Sequence, residues 1–385
     1  MNRRERLLNT LAGRAVDRPA VSFYELDWYA DKPLDEDPFN IHNHPSWRPL
    51  LQMIRERVDR ITCGNVALTA NSSADHDTHV RSEMQTRGVV MGGGDERMIV
   101  TTIKAGTRTL TMRKVQRADV DTVWTVEHLL KDVDDFRAYL DLPLSEPEFR
   151  VDAGEFLRKE AALGDSGIML LDTEDPLCAV APLFSMEDYT VVAFTEPELF
   201  RRALDRAAVG IYRRLEAITR ALPGRLWRIY GPEYASEPYL PPQFFAEYVV
   251  PYVKTMVDII HATGGFARVH SHGRLKNILP LIAATGCDGI DPIEPPPQGD
   301  VSLAYVRERY GHQWVLFGNL EASDIENATP DEMRSKTQTA LREGTQGEGR
   351  GMVLMPSSGP YGRILSERAF RNYETILDVV DSFGG

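Results

Sequence analysis

Apolar runs that alternate with helical segments over residues 167–383 constrain the fold more than any other feature of the sequence. The apolar, β-rich runs lie at 167–172, 225–231, 265–271, 286–293, 313–319 and 351–357. Segments with helical periodicity separate or follow them, at 197–222, 242–264, 274–285, 301–311, 330–344 and 366–383. Strands that alternate with helices at this spacing indicate βαβ units and a parallel sheet.

The number of strands favours a closed barrel. An earlier run at 18–25 adds a seventh strand, and seven visible strands plus one missed, each followed by a helix, predict an α/β barrel of the TIM type, (β/α)8. A doubly wound open sheet is the alternative, but no glycine-rich fingerprint follows the first strand. Residues 80–127 alternate β-branched and polar residues around turns, which predicts an antiparallel β-meander inserted into a single barrel domain of residues 1–385.

Composition excludes several classes of protein. A net charge of -13 argues against nucleic acid as the main partner, and no apolar run approaches the roughly 20 residues that span a membrane. The N-terminus is typical of an amphipathic helix rather than a signal peptide. Cys63, Cys178 and Cys287 lie far apart, so we expect no disulfides and a cytoplasmic protein. We expect a small-molecule substrate, and the choice between monomer and homodimer is open.

Polar residues follow almost every predicted strand. Chemistry in barrels of this type takes place at the C-terminal ends of the strands, so these residues predict an active-site rim. We expect Glu233, Tyr234 and His272 to be catalytic. The residues expected to bind the substrate are Glu25, Tyr230, Asn319, Ser358 and Tyr361.

The N-terminal segment at 23–47 is rich in aromatic residues and has little periodicity. Its length is typical of a functional lid or binding loop. His42 and His44 form a His-x-His pair in this segment, but no strand precedes them. We therefore expect them to be solvated or to cap a turn rather than to bind a metal.

Several motifs, in their order, resemble the uroporphyrinogen decarboxylase superfamily over nearly the whole chain. They are "LAGRAVDRPAVSF", "VWTVEHLLKDVDDFRAYLDLP", "HSHGRLKNILPLIAATGCDGIDPIE", "VLFGNLEASDIENATPDEM" and "GMVLMPSSGPYGRILSERAFRNY". The resemblance implies an α/β barrel. It is closer to the cobalamin-dependent methyltransferases than to the haem-pathway decarboxylase. The decarboxylase grips tetrapyrrole propionates with an arginine-rich segment, whereas this chain has Glu25, Asp27 and no arginine there.

The resemblance also bears on metal binding. The methyltransferases hold zinc through a His-x-Cys-Gly motif and a later Cys, but this chain has His-Ser-His-Gly at 270–273 and Pro-Ser-Ser-Gly at 356–359. Two histidines at i and i+2 share one face of a strand. With Glu294 from the next strand, His270 and His272 form a predicted site for zinc, non-haem iron or another divalent metal. A metal-free catalytic role and a polar barrel mouth that binds nothing are the alternatives.

The sequence thus predicts a methyltransferase-like enzyme that moves a methyl group between a small substrate and a corrinoid. Because the chain lacks an Asp-x-His-x-x-Gly cobalamin motif, the corrinoid would be held by a partner protein or be free in solution. An imidazole- and oxygen-bound metal is a harder Lewis acid than a thiolate-bound one, which favours an oxygen-bearing substrate. The alternatives are a decarboxylase of a small carboxylate other than uroporphyrinogen, and a barrel that binds a ligand without turnover.

Overall fold

The computed structural model describes residues 1–32, 35–71, 80–87, 95–144 and 147–383. In chain order its strands are β1 (Ala20–Val21), β2 (Arg60–Cys63), β3 (Ala67–Asn71), β4 (Val80–Arg87), β5 (Glu96–Ala105), β6 (Arg108–Arg117), β7 (Val123–Glu127), β8 (Glu148–Asp152), β9 (Gly167–Glu174), β10 (Leu226–Tyr230), β11 (Phe266–His270), β12 (Gly289–Asp291), β13 (Val315–Phe317) and β14 (Met352–Leu354). Eight of them form a parallel, nearly closed barrel in the order β1-β14-β13-β12-β11-β10-β9-β2.

Helices surround this barrel and connect its strands. Their bounds are Arg3–Leu11, Tyr24–Ala30, Arg48–Arg57, Val133–Leu140, Gly154–Leu163, Pro176–Val180, Met186–Thr195, Pro197–Ala221, Pro242–Tyr248, Val250–His261, Leu279–Ala284, Leu303–Tyr310, Ala322–Asn327, Pro330–Thr345 and Glu367–Ser382. Among the described helices no single one is long and apolar enough to cross a membrane. One bent pair of helices, Pro176–Leu183 with Met186–Thr195, has the length and composition of a membrane span, and nothing else supports that role.

The predicted barrel is confirmed, and so is the meander. The eighth strand is β2, which the sequence prediction missed. The four strands β4 to β7 form an antiparallel sheet of their own, while β3 pairs with β8.

The strand predicted over 18–25 was wrong in its second half. β1 ends at Val21, and Glu25 lies in the first turn of the helix Tyr24–Ala30.

The first and last strands of the barrel order, β1 and β2, meet at a seam. The buried carboxylate of Asp59 links them there. The Asp59 backbone N–H donates to the Val21 carbonyl at 2.9 Å, and the Val21 N–H donates to the Asp59 carboxylate at 3.0 Å. The same fully buried carboxylate accepts hydrogen bonds from Arg6 at 2.5 Å and Arg18 at 2.8 Å. One side chain therefore ties the first helix, the first strand and the second strand together.

The barrel interior changes from apolar to charged towards the C-terminal ends of the strands. Its apolar part includes Ile61, Ile168, Leu170, Leu226, Val315, Phe317, Val353 and Met355, which form one cluster with Leu7 and Leu11 of the first helix. Above it, Asp172, Arg228 and Arg268 are paired in register across β9, β10 and β11. Side chains two residues apart on a strand point to the same face, so Tyr230 and His270 continue that charged face.

Candidate active site

Two histidine–carboxylate pairs lie at the ends of β11 and β12. His270 Nδ1 is 2.8 Å from Asp291 Oδ2, and His272 Nδ1 is 2.9 Å from Glu294 Oε1. The Gly273 N–H donates to the other Glu294 oxygen at 2.7 Å. The two imidazole rings are nearly perpendicular, with centroids 4.5 Å apart. We call these four side chains the His–carboxylate cluster; its carboxylates orient both rings through Nδ1.

Asp291 is the buried anion of the His–carboxylate cluster. Burial alone would raise the pKa of its carboxyl, but Arg268 and His270 outweigh burial and lower this pKa to about 2. Arg268 Nε lies 3.0 Å from Asp291 Oδ1, an ion pair without hydrogen-bond alignment. The Arg268 guanidinium is itself buried between the rings of Tyr24 and Phe317, each 4.7 Å away. Asp291 is therefore ionised at neutral pH.

Glu294 changes the protonation of His272. Burial opposes a charge on the imidazole, but the hydrogen bond to Glu294 outweighs it and raises the pKa of His272 above its ordinary value of 6.5. Burial likewise raises the pKa of Glu294, and His272 outweighs it, so the Glu294 pKa is lowered. A raised histidine pKa stabilises the fold fully below the unfolded value of about 6.5. This contribution is lost as pH rises through the folded pKa.

We expect NMR titration to place the His272 pKa above 6.5, with its resonance assigned from a His272→Gln spectrum. Replacing Glu294 with Gln removes the negative charge, so the His272 pKa should fall relative to the wild-type protein. An unchanged His272 titration in Glu294→Gln would contradict this account of the pair.

The geometry bears on the metal site predicted from His270, His272 and Glu294. Metal-bound histidines usually donate their second nitrogen to a carboxylate, as both rings here do through Nδ1. Neither Nε2 hydrogen-bonds a described residue, so two imidazole nitrogens remain for a metal. However, Glu294 is the partner of His272 Nδ1, and no group of three His, Cys, Asp or Glu side chains among the described residues could hold a metal ion. The ligand set is incomplete, and zinc stays a prediction.

That prediction has a direct test. We expect elemental analysis of protein purified without chelators to find one zinc per chain. The variants His270→Ala and His272→Ala should each lose this zinc. His42→Ala is the matched control and should keep the metal. Wild-type protein that stays metal-free after incubation with zinc or iron(II) would contradict the prediction.

Other candidates surround the His–carboxylate cluster. Glu233, predicted to be catalytic, acts on His272 electrostatically, and its Oε2 accepts the Gly231 N–H at 3.1 Å. Burial, followed by Glu294, raises the pKa of Glu321, whose Oε2 is buried without a described hydrogen-bond partner. Glu321 is therefore more easily protonated than an ordinary glutamate. It belongs to the predicted rim of polar strand-end residues, although no specific role was predicted for it.

The other predicted site residues on this side of the barrel mouth are Tyr230, Tyr234 and Asn319. Burial raises the pKa values of Tyr230 and Tyr234 to about 12, so both hydroxyls stay protonated at neutral pH. The Tyr234 carbonyl accepts a hydrogen bond from the Tyr189 hydroxyl at 2.7 Å. Asn319 is buried beyond the end of β13.

A cavity of about 400 Å³ lies beside this cluster, at the ends of β1, β2, β9 and β10. It brings together Glu25, Ser358 and Tyr361, three of the predicted substrate-binding residues. Lining residues that the prediction did not assign to the substrate are Tyr24, Leu26, Trp28, Tyr29, His42, Cys63, Asn65, Asp121, Asp172, Arg228, Gly359 and Pro360. The cavity is not lined by Tyr230, Glu233, Tyr234, Asn319 or the His–carboxylate cluster.

Hydrogen bonds fix the polar wall of the cavity. Glu25 accepts from the Ser358 hydroxyl at 3.1 Å, the Gly359 N–H at 2.9 Å and the Tyr24 hydroxyl at 3.0 Å. Arg228 binds both Asp172 oxygens at 2.8 Å and donates to the Tyr24 hydroxyl at 2.7 Å. This network is a pre-organised polar surface. Arg228 and Asp172 largely neutralise each other.

His42 corrects the expectation of a solvated or capping residue. Its side chain is buried and stacks on Tyr29 with ring centroids 3.6 Å apart. Burial lowers its pKa to about 4, so the ring is neutral, and its Nε2 has no partner among the described residues. His44 does cap a turn, since its Nδ1 accepts the Ser46 N–H at 3.3 Å. The aromatic sequence around His42 was the available signal, because such rings pack together when a loop folds over a core.

Known proteins share the fold. No curated protein matches the sequence. A solved structure, a methyltransferase from Methanosarcina mazei, matches over 100% of both chains with 17% identity and a TM-score of 0.60. A D-psicose 3-epimerase from Clostridium cellulolyticum H10 matches 60% of this chain and 92% of its own at 10% identity, but its TM-score of 0.32 is too low to argue from. Residues 129–383 match the family described as Uroporphyrinogen decarboxylase (URO-D). The chain belongs to the uroporphyrinogen decarboxylase family.

Proposed function

We propose that this protein is a methyltransferase that moves a methyl group between a small substrate and a corrinoid, which is bound by a partner protein or free. Its family includes such enzymes by the resemblance described above. Its fold also matches that of a methyltransferase along the whole chain. The observation that carries the proposal is the charge of the cavity at the barrel mouth.

The cavity is acidic where a decarboxylase needs cations. Its wall includes the carboxylates of Glu25, Asp121 and Asp172, and Arg228 is the one lysine or arginine among the lining residues that the structure describes. Asp172 binds this guanidinium through both oxygens. Carboxylates repel one another at short range, so a tetrapyrrole polycarboxylate is disfavoured. The same charge disfavours the alternative lyase, whose substrate is also a carboxylate.

No activated thiol is found among the described residues that line the cavity. The Cys63 thiol lies 3.2 Å from Asp172 Oδ2, and burial together with that carboxylate raises its pKa, so it stays protonated. The methyl acceptor is therefore not this cysteine, and a reduced corrinoid would be the second substrate. His272, Glu233 and Tyr234 remain the groups proposed to hold or move a proton next to the cavity.

The proposal predicts protein-dependent methylation of cobalamin. Purified protein is mixed with reduced cobalamin and a panel of methyl ethers, alcohols and methylated amines, and the change in cobalt absorbance is followed. We expect at least one donor to give a signal that heat-denatured protein does not give. No signal from any donor, together with release of CO2 from small carboxylates, would instead establish the lyase.

A further inference from the structure

We propose that the cavity binds a small organic cation, a methylated ammonium compound, as the methyl donor. This inference rests on the proposed methyl transfer and names its substrate class. It differs from the oxygen-bearing substrate expected from the sequence, which depends on a metal at His270 and His272.

The first argument is the charge of the cavity wall. The wall, as far as the structure describes it, has three carboxylates and one guanidinium, that of Arg228, which binds both Asp172 oxygens, while the Lys32 ammonium acts on Asp121 from outside the wall. The hydrogen-bond donors to Glu25 are neutral groups of the wall, and the nearest described cation is Arg228, whose Nη1 is 3.7 Å from Oε1. His42 is neutral and adds no positive charge. A cation would therefore gain electrostatic energy on entering this cavity, and an anion would lose it.

The second argument is the aromatic surface that adjoins these carboxylates. Trp28, Tyr29 and Tyr361 line the cavity. The Lys32 ammonium lies 4.2 Å from the Trp28 ring centroid and 4.8 Å from that of Tyr29, and the Lys159 ammonium lies 5.4 Å from Trp28. The rings thus already accept cations of the chain itself. Aromatic rings combined with carboxylates are the usual means of recognising quaternary ammonium groups.

The chemistry of such a donor suits this chain. In a quaternary ammonium compound the methyl C–N bond breaks and its electron pair stays on nitrogen, which leaves as a neutral tertiary amine. The methyl group joins the reduced corrinoid, whose cobalt supplies the electron pair of the new bond. The leaving group needs neither a proton nor a Lewis acid. That agrees with the absence of thiols at 270–273 and 356–359.

The test compares two probes of one shape in isothermal titration calorimetry. Choline carries the charge, and 3,3-dimethyl-1-butanol is its neutral isostere. We expect choline to bind about tenfold tighter, the factor expected when a desolvated cation meets an aromatic face. Glu25→Gln and Trp28→Ala should each weaken choline binding by about tenfold. Lys32→Ala should strengthen it, because this lysine competes for the same rings. Glu198→Gln, an exposed carboxylate on another helix, is the control and should change nothing.

The outcomes separate this inference from the proposed function. Equal affinity for the two probes, or no choline binding, overturns the inference, even if methyl ethers methylate cobalamin and the proposed function stands. Choline binding that is weakened in Trp28→Ala supports the cation site, whereas no methylation of cobalamin by any donor, choline included, would overturn the role of this cation as methyl donor together with the proposed function. If Glu25→Gln does not fold, Trp28→Ala and Lys32→Ala give the same answer.

Discussion

Asp291→Ala is expected to destabilise the folded protein by about 3–5 kcal/mol, because it leaves a buried charge without a partner. Asp291 is fully buried between Arg268 and His270, and Arg268 has no exposed surface. Since the pKa of Asp291 is lowered to about 2, its stabilising effect is present above the ordinary value of 3.8 and is lost as pH falls through about 2. At neutral pH, Asp291→Ala should therefore lose all of the stabilisation that the ionised carboxylate contributes.

Urea denaturation at pH 7 measures this loss as a lower transition midpoint with an unchanged slope. Asp291→Asn keeps the shape of the side chain but not its charge, so it should also be destabilised. Asp165→Ala removes an exposed carboxylate and should change stability by less than about 0.5 kcal/mol. A loss below about 1 kcal/mol in Asp291→Ala would show that Arg268 finds another partner.

Asp59→Ala is expected to cost about as much, roughly 3–5 kcal/mol, for a different structural reason. This fully buried carboxylate accepts hydrogen bonds from Arg6, Arg18 and the Val21 N–H. Its loss leaves two guanidinium groups without their buried partner and removes one hydrogen bond from the short strand β1. The seam between β1 and β2 should therefore weaken with the whole fold.

Asp17→Ala is the matched control, because Asp17 also binds Arg6 but its side chain is 42% exposed. Exposed ion pairs contribute little, so this variant should lose less than about 1 kcal/mol in the same urea experiment. If Asp59→Ala and Asp17→Ala lose equal stability, the seam does not depend on the buried carboxylate.

The barrel could be predicted because most of its strands are apolar runs between helices. β2 was missed because it is four residues long and begins with Arg60, whose charge hides its place in the sheet. The helix Tyr24–Ala30 was missed because no side chain caps it and its aromatic residues favour strands. Burial of Tyr24, Leu26 and Asp27 in the tertiary structure outweighs that local preference.

Contacts within the candidate site could be predicted only where the order of the strands determines which strand ends lie side by side. Glu25 and Ser358 follow β1 and β14, which a closed barrel places side by side, and they do form a hydrogen bond. Asp121 comes from the inserted meander and His42 from an irregular segment, so only tertiary packing brings them to the cavity. Arg228 was missed although it occupies an apolar run, where an unexplained charge is itself a signal of a polar interior.

The register across β9 to β12 has a practical consequence for redesigning this cavity. Arg228 and Arg268 are neighbours on adjacent strands, and each depends on a carboxylate from its other side, Asp172 for one and Asp291 for the other. Changing one member of the buried Arg268–Asp291 pair leaves a buried charge uncompensated, whereas Asp172 and Arg228 are partly exposed and tolerate single changes better. Exchanging both members for apolar residues of similar volume is often neutral or stabilising. An engineer who wants another substrate in this barrel must therefore replace Arg268 and Asp291 together.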